Sequence, residues 1–140
     1  MKEHEQGYEY LTKPRKLKNK ILRLQEKKEA LEYSLLPGAI RYDKPAVDHS
    51  PVDKTAEIMS KIDEIDGDII DIKCELAGTN AEIYGRIEQS VKEDNDKTVL
   101  VAYFIGGKSI EETATLMNYS RTHTYRFWKR GIKDITKSLE

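Results

Sequence analysis

The residues best suited to chemistry form a basic run near the C-terminal end of the sequence. From Tyr119 to Lys133 there are five arginine and lysine residues and no acidic residue. Arginine can donate paired hydrogen bonds to guanine in the major groove of DNA, and the other polar side chains of the run can contact phosphate groups or base edges. The run therefore predicts contact with nucleic acid. The candidate DNA-binding residues are Ser120, Arg121, Thr122, His123, Tyr125, Arg126, Lys129, Arg130 and Lys133.

The sequence around this run has the features of a helix-turn-helix. Ser109, with Glu112 three residues later, forms a capping box that can begin a helix. Small Ala114 lies where the two helices of such a motif cross closely, and Asn118 tolerates the left-handed conformation of the tight turn. Ser120 can then cap the second helix. The expected inner face of that helix comprises Thr124, Trp128, Ile132 and Ile135.

A solvated basic surface helix is the alternative interpretation of the run, because such helices are common. Here two helix caps, a small residue at the crossing point, a turn residue and an outer face without acids coincide, and this coincidence favours DNA binding. We therefore expect the second helix to be a recognition helix and duplex DNA to be its partner.

Catalytic, cofactor and metal sites are not expected from the remaining reactive residues. His123 has no nucleophile or orienting carboxylate beside it in the sequence, and Gly106-Gly107 lacks the spacing of a phosphate-binding loop. Cys74 is the single cysteine, so it cannot form an internal disulfide. His4 and His49 lie far from it and from each other, which gives no metal-ligand pattern. The sequence favours a binding protein over an enzyme.

Two long periodic stretches precede the basic run. A first helix is predicted to begin at Pro14 and to extend for about 20 residues, with apolar residues at three- and four-residue spacing. A second begins near Asp53 and keeps heptad spacing to Ile83. Its weakest point is expected at Gly78, since glycine costs about 1 kcal/mol in a helix interior. Segment 37–52 between them has the prolines and glycine of a loop.

Opposite charges lie on the two predicted helices. Lys13–Lys28 contains eight basic residues and one acid, whereas Asp63–Glu75 contains six acids and one base. The basic stretch could be an arm for nucleic acid, or it could fix the pairing of an antiparallel hairpin. We favour the second interpretation because the acidic partner stretch is present. The expected register brings together Leu36 with Asp53, Lys28 with Lys61, and Leu17 with Ile72.

These observations predict an all-α protein in which an N-terminal antiparallel helical hairpin, a coiled coil, is followed by a C-terminal helix-turn-helix domain. Residues 1–91 are assigned to the hairpin and 99–140 to the DNA-binding domain. Residues 92–98 are assigned to a hinge, because the run from Lys92 to Lys97 contains no apolar residue. The apolar stripe of the second helix continues to Val91, beyond the end of the first helix, and predicts a surface for a second copy in a homodimer.

The sequence also resembles a known group of proteins. Segment Gly107–Ile132 resembles the DNA-reading region 4 of sigma factors. Residues from about 30 to 140 resemble, more closely, small phage regulators of late transcription of the RinA/ArpU type. That resemblance includes the Tyr42-Asp43-Lys44 and Ser50-Pro51 loop, the central isoleucine-rich helix and the Met117-Asn118-Tyr119-Ser120 turn. This resemblance implies a protein that binds upstream of a promoter and activates late phage genes such as those for packaging and lysis.

The expected location is the cytoplasm of a bacterial host cell. No stretch approaches the ~20 apolar residues that span a bilayer, and Met1–Glu5 lacks the apolar core of a signal peptide. Two other functions stay open at this point. One is a phage DNA-packaging subunit of the small terminase type, which a ring-shaped oligomer would favour. The other is an adaptor whose hairpin binds RNA polymerase.

Overall fold

The computed structural model describes residues 2–36 and 51–140, which are helical apart from short connections. Within these ranges the chain forms six α-helices and one π-helical segment. The elements are α1 (Lys2–Leu11), α2 (Lys13–Ser34), α3 (Pro51–Ser90), α4 (Asp94–Leu100), the π-helical segment Val101–Ile105, α5 (Ile110–Met117) and α6 (Arg121–Ser138). The all-α prediction is confirmed. Among the described helices, none has both the length and the apolar character needed to cross a membrane.

The two long predicted helices are present as α2 and α3. Pro14 lies in the first turn of α2, where a helix does not need the N–H that proline lacks. α3 is 40 residues long and runs through Gly78 without interruption. Apolar side chains are buried on both sides of this glycine, including Ile69 and Ile83. Their burial offsets the roughly 1 kcal/mol that a glycine costs inside a helix.

Several features of the sequence fall in residues 37–50, which lie outside the described part of the chain. They are most of the predicted loop 37–52, the Tyr42-Asp43-Lys44 segment and His49. The last two residues of that predicted loop, Pro51 and Val52, form the beginning of α3.

The first compact unit lies within Lys18–Glu75 and contains most of α2 paired with the N-terminal part of α3. Lys28 Nζ lies 2.7 Å from Asp66 Oδ1. The hydrogen bond to Asp66 raises the pKa of Lys28 above its ordinary value. Further toward the N-terminus of α2, Leu24 lines a groove with Ile72 of α3. Partners later in α3 thus lie beside residues earlier in α2, so the hairpin is antiparallel, as predicted.

The predicted register of this hairpin is wrong. Lys28 lies beside Asp66 rather than Lys61, and Leu24 shares a groove with Ile72, so the pairing is shifted by about five to seven residues. The expected register placed Leu36 beside Asp53 by assuming that the connecting segment joins the nearest helix ends. Charge pairing and apolar contacts along the helices decide the alignment instead, and the N-terminal turns of α3 extend beyond the level of α2.

The second compact unit combines residues up to Leu17 with Leu76–Glu140. Its core is built from α1, the C-terminal part of α3, α4, the π-helical segment and α6. The buried apolar side chains of this core are Tyr10, Leu11, Ile83, Ile87, Val91, Leu100, Phe104, Ile132 and Ile135.

This core corrects two expectations about residues 1–91. The last turns of α3 do not belong to the hairpin, because Ile83, Ile87 and Val91 are at most 3% exposed and pack in one cluster with Phe104. Their stripe is therefore covered within the chain and is not open to a second copy. The reason for expecting a homodimer through this stripe is removed.

The predicted hinge at 92–98 is also corrected. Only Val91–Glu93 separate α3 from α4, and α4 begins at Asp94. Asp96 in α4 is fully buried and accepts two hydrogen bonds from Arg130 of α6. A polar run without apolar residues is thus held in place by an ion pair with a residue 34 positions later.

An additional helix precedes the hairpin. The sequence before Pro14 is polar and predicted no element, yet α1 packs against α6. At the contact, Gly7 N donates a hydrogen bond of 3.1 Å to Thr136 Oγ1. A Cβ atom at Gly7 would lie 2.4 Å from this oxygen and 2.7 Å from Ile132 O. The glycine is therefore required by the close approach of the two helices.

Candidate nucleic-acid interface

The α5–turn–α6 segment has the local geometry expected of a helix-turn-helix. Ser109 Oγ accepts from Glu112 N at 3.1 Å, and Glu112 Oε1 accepts from Ser109 N at 3.3 Å, which completes the predicted capping box. Asn118 ends α5 in the left-handed region, with φ 58° and ψ 38°. Ser120 caps α6 by accepting from His123 N at 3.2 Å. Each of these local predictions is confirmed.

Two threonines lie on the buried side of the motif, where aliphatic residues are more common. Thr113 and Thr124 are at most 1% exposed. Each donates its hydroxyl to the carbonyl oxygen four residues earlier, at 2.8 Å to Ser109 O and 3.0 Å to Ser120 O. Because both hydroxyls are satisfied inside their own helices, the methyl groups can pack without leaving an unpaired polar atom.

The inner face of α6 matches the prediction. Thr124, Ile132 and Ile135 are buried, and Trp128 is half-buried against the core. Trp128 stacks with Phe104 at a ring separation of 6.2 Å and meets Tyr103 edge-on at 5.6 Å. The orientation of the helix about its own axis is therefore determined by these contacts.

The opposite side of α6 is an exposed basic stripe. Thr122, Arg126, Lys129, Lys133 and Lys137 are all exposed and follow one another at intervals of four, three, four and four residues. This spacing places them along one side of a helix. We call these five residues the α6 stripe. Within the described residues, none of its cations forms an ion pair with a carboxylate, so their charge faces solvent.

Tyr125 and Lys129 form a stacked group at the edge of this stripe. The Tyr125 ring is nearly parallel to the indole of Trp128, at 18° and 5.5 Å between centroids. Lys129 Nζ lies 5.1 Å from the centroid of the Tyr125 ring. A half-buried tryptophan thus supports an exposed tyrosine, which in turn positions a cation. Tyr125 is 45% exposed.

Three predicted contact residues at the start of α6, Ser120, Arg121 and His123, already have partners. Arg121 Nε lies 2.9 Å from Glu111 Oε1 of α5, and both side chains are mostly exposed. Ser120 Oγ lies 2.8 Å from His123 Nδ1 in addition to capping the helix. The hydroxyl of Ser120 is therefore occupied by local structure, whereas Arg121 could exchange an exposed carboxylate for a phosphate at little cost.

Arg130 is different from the other predicted contact residues. Its Nε and Nη2 donate to Asp96 Oδ2 and Oδ1 at 2.7 and 3.0 Å. The hydrogen bond to Asp96 raises the pKa of Arg130 above its ordinary value. Because Asp96 is fully buried, the guanidinium is needed to compensate its charge. The structure therefore gives Arg130 a stabilising role through Nε and Nη2, and its contact with DNA stays a prediction.

Sequence reasoning missed two cations beside the motif. Lys137 continues the α6 stripe but follows Asp134, so it fell outside the acid-free run; its four-residue spacing from Lys133 is the signal that could have found it. Lys108 precedes the cap of α5 and lines a groove of about 400 Å³ together with Arg15 and Arg121.

Arg15 has a structural role in this groove. Its Nη2 donates to Tyr103 O at 3.1 Å, and its guanidinium lies 3.9 Å from the centroid of the Tyr103 ring. Carbonyl groups at the end of a helix lack further N–H partners. Arg15 supplies one at the end of the π-helical segment.

Neither a metal site nor a known relative helps to interpret this surface. In residues 2–36 and 51–140, no three His, Cys, Asp or Glu side chains are arranged to hold a metal ion. Comparisons of the chain with protein-family models, with curated proteins and with solved structures found no match.

Proposed function

We propose that this protein is a sequence-specific DNA-binding regulator of transcription, and that α6 is its recognition helix. The observation that carries the proposal is the α6 stripe on the second helix of a capped helix-turn-helix. Its four exposed cations have no carboxylate partner among the described residues. Such a helix can enter the major groove and place arginine and lysine against base edges and phosphates.

In this proposal, position along α6 distinguishes residues that would read bases from residues that would bind phosphate. The first turns of a recognition helix meet the base edges. Arg121, Thr122 and Arg126 lie in these turns and are exposed. Lys133 and Lys137 lie two or more turns further on and suit phosphate contacts, which carry no sequence information. Arg130 is left out of both groups because two of its nitrogens are bonded to Asp96.

The resemblance to phage late-transcription regulators supplies the biological context of the proposal. In that context the protein binds upstream of a late promoter and activates packaging and lysis genes. A packaging subunit would use the same DNA-binding helix, and an adaptor would rely on the hairpin to contact RNA polymerase.

The proposal is tested by selecting bound fragments from a random pool of duplex DNA with the full chain and sequencing them. A short enriched motif is expected, and the Arg126→Ala variant should enrich it less while remaining folded. If the selected pool has no motif, or if a parallel selection from a random RNA pool enriches a motif equally well, sequence-specific reading of duplex DNA is wrong. A ring-shaped oligomer in light scattering would redirect the proposal to DNA packaging.

A further inference from the structure

One face of the hairpin formed by α2 and α3 carries two oppositely charged edges. Lys20, Arg23 and Lys27 of α2 line one side of a groove, and Asp68 and Asp71 of α3 line the other. All five side chains are exposed. The groove has a volume of about 380 Å³. Leu24 and Ile72, both half-buried, also line it.

Helical spacing makes each edge a continuous row. The three cations of α2 follow at three- and four-residue intervals, which places them along one side of the helix. On α3 the same rule adds Glu64 and Glu75 to the two aspartates, since all four acids follow at four-, three- and four-residue intervals. We call the α2 row the basic edge and the α3 row the acidic edge.

Within residues 18–36 and 51–75, the charges of the two edges are not paired with each other. Lys28, which belongs to neither edge, forms ion pairs with Asp66 and Glu32. Among the described residues, no member of either edge has an opposite charge within 4.0 Å. The face therefore presents both signs of charge to solvent, on the two sides of an apolar floor formed by Leu24 and Ile72.

We infer that this face binds the same face of a second copy. A two-fold axis parallel to the helices brings the basic edge of one copy onto the acidic edge of the other, and apolar floor onto apolar floor. A two-fold axis across the helices would instead place like charges together, so the charge pattern selects a parallel arrangement of the two hairpins. An isologous interface of this kind is self-complementary by symmetry.

Nucleic acid fits this face less well than a second copy does. Phosphates drawn to Lys20, Arg23 and Lys27 would meet Asp68 and Asp71 across the same groove. A second copy satisfies both edges at once. The inference is independent of the DNA-binding function proposed for α6. The surface for self-association is now this face of the hairpin, because the apolar stripe at the end of α3 is buried within the chain.

The direct test is sedimentation of the full chain at low and high salt. Because the contact is held mainly by exposed charges, the dimer dissociation constant should rise about tenfold or more between roughly 50 mM and 500 mM salt. A monomer at tens of micromolar protein in low salt would overturn the inference. So would a dimer whose dissociation constant is insensitive to salt, since that interface would lie elsewhere.

Charge reversal locates the interface. Reversing the basic edge alone (Lys20→Glu, Arg23→Glu, Lys27→Glu) should yield a monomer, because both edges are then acidic. Reversing the acidic edge as well (Asp68→Lys, Asp71→Lys, Glu75→Lys) keeps the net charge of the original chain and restores the complementary pattern. This six-residue variant should dimerise again, and its failure to do so would contradict the inference.

Circular dichroism is needed to confirm that each variant keeps its helices. If the three-residue variant unfolds, the salt dependence of the original chain and the mass of the six-residue variant still decide the outcome. If the three-residue variant stays dimeric but loses affinity for DNA, the basic edge is a nucleic-acid surface instead.

Discussion

Asp96 is fully buried, and both of its carboxylate oxygens accept hydrogen bonds from the guanidinium of Arg130, at 2.7 and 3.0 Å. The pair connects α4 to α6. The side chain of Arg130 is itself 54% exposed. A guanidinium at the protein surface therefore compensates the charge of the buried Asp96 carboxylate. This pair is one of the contacts that determine how the basic face of α6 is presented.

Arg130→Ala is expected to destabilise the fold by about 3 kcal/mol, because it leaves a buried carboxylate without a partner. Urea denaturation measures the change. Replacing both residues (Asp96→Leu with Arg130→Met) should recover most of the loss, since two apolar side chains do not need compensation. Equal stability of Arg130→Ala and the original chain would show that the guanidinium is free for DNA after all.

Arg126 and Trp128 test whether the proposed DNA reading and the stability of the fold depend on different faces of α6. Arg126→Ala should leave the melting temperature nearly unchanged and weaken binding to the selected DNA by about 1–3 kcal/mol. Trp128→Ala should reduce stability by about 2–4 kcal/mol, somewhat less than for a fully buried tryptophan. Thermal melting measures the stability of both variants, and gel-shift titration measures their affinity for DNA. If Arg126→Ala unfolds the protein while Trp128→Ala only lowers affinity, the reading face is misassigned.

Gly7 tests the close contact between α1 and α6. Gly7→Ala should destabilise the protein by about 1–3 kcal/mol, because the added methyl group meets the Thr136 hydroxyl and the Ile132 carbonyl. Gly78→Ala is the matched control, since a Cβ at Gly78 has no neighbour within 4 Å. It should stabilise α3 by about 0.5–1 kcal/mol. A lower melting temperature for Gly7→Ala and a higher one for Gly78→Ala would support the close contact between α1 and α6. An unchanged melting temperature for Gly7→Ala would contradict it.

Glu111 is expected to restrain DNA binding through its ion pair with Arg121. Glu111→Gln removes this competitor and a negative charge beside the DNA, so affinity should rise about threefold or more at low salt. Fluorescence anisotropy with labelled duplex DNA measures the affinity of the variant and of the original chain. In the Arg121→Ala background the same change should have a smaller effect. An unchanged affinity would place Arg121 away from the DNA.

Features fixed by neighbouring residues could be predicted from the sequence. The capping box of Ser109, the left-handed Asn118 and the cap at Ser120 each depend on a few adjacent positions, and all three are present. The inner face of α6 followed from its periodicity, since Thr124 and Ile132 are buried.

Features that depend on distant partners could not be predicted in this way. Asp96 lies in a polar run that indicated a hinge, and its partner Arg130 is 34 residues away. α1 carries little apolar character of its own, and its place depends on the close approach of Gly7 to Thr136, 129 residues later. The hairpin register depends on Lys28 meeting Asp66, which the charge totals of the two helices left undetermined.

The central claim, that the α6 stripe binds duplex DNA, is tested most directly by the salt dependence of binding. The logarithm of the binding constant should fall linearly with the logarithm of the salt concentration, with a slope of about −3 to −5, because each neutralised phosphate releases counterions. Lys133→Ala should make that slope shallower by about one unit and should weaken specific and random DNA equally. A flat salt response, or no binding at low salt, would contradict the claim.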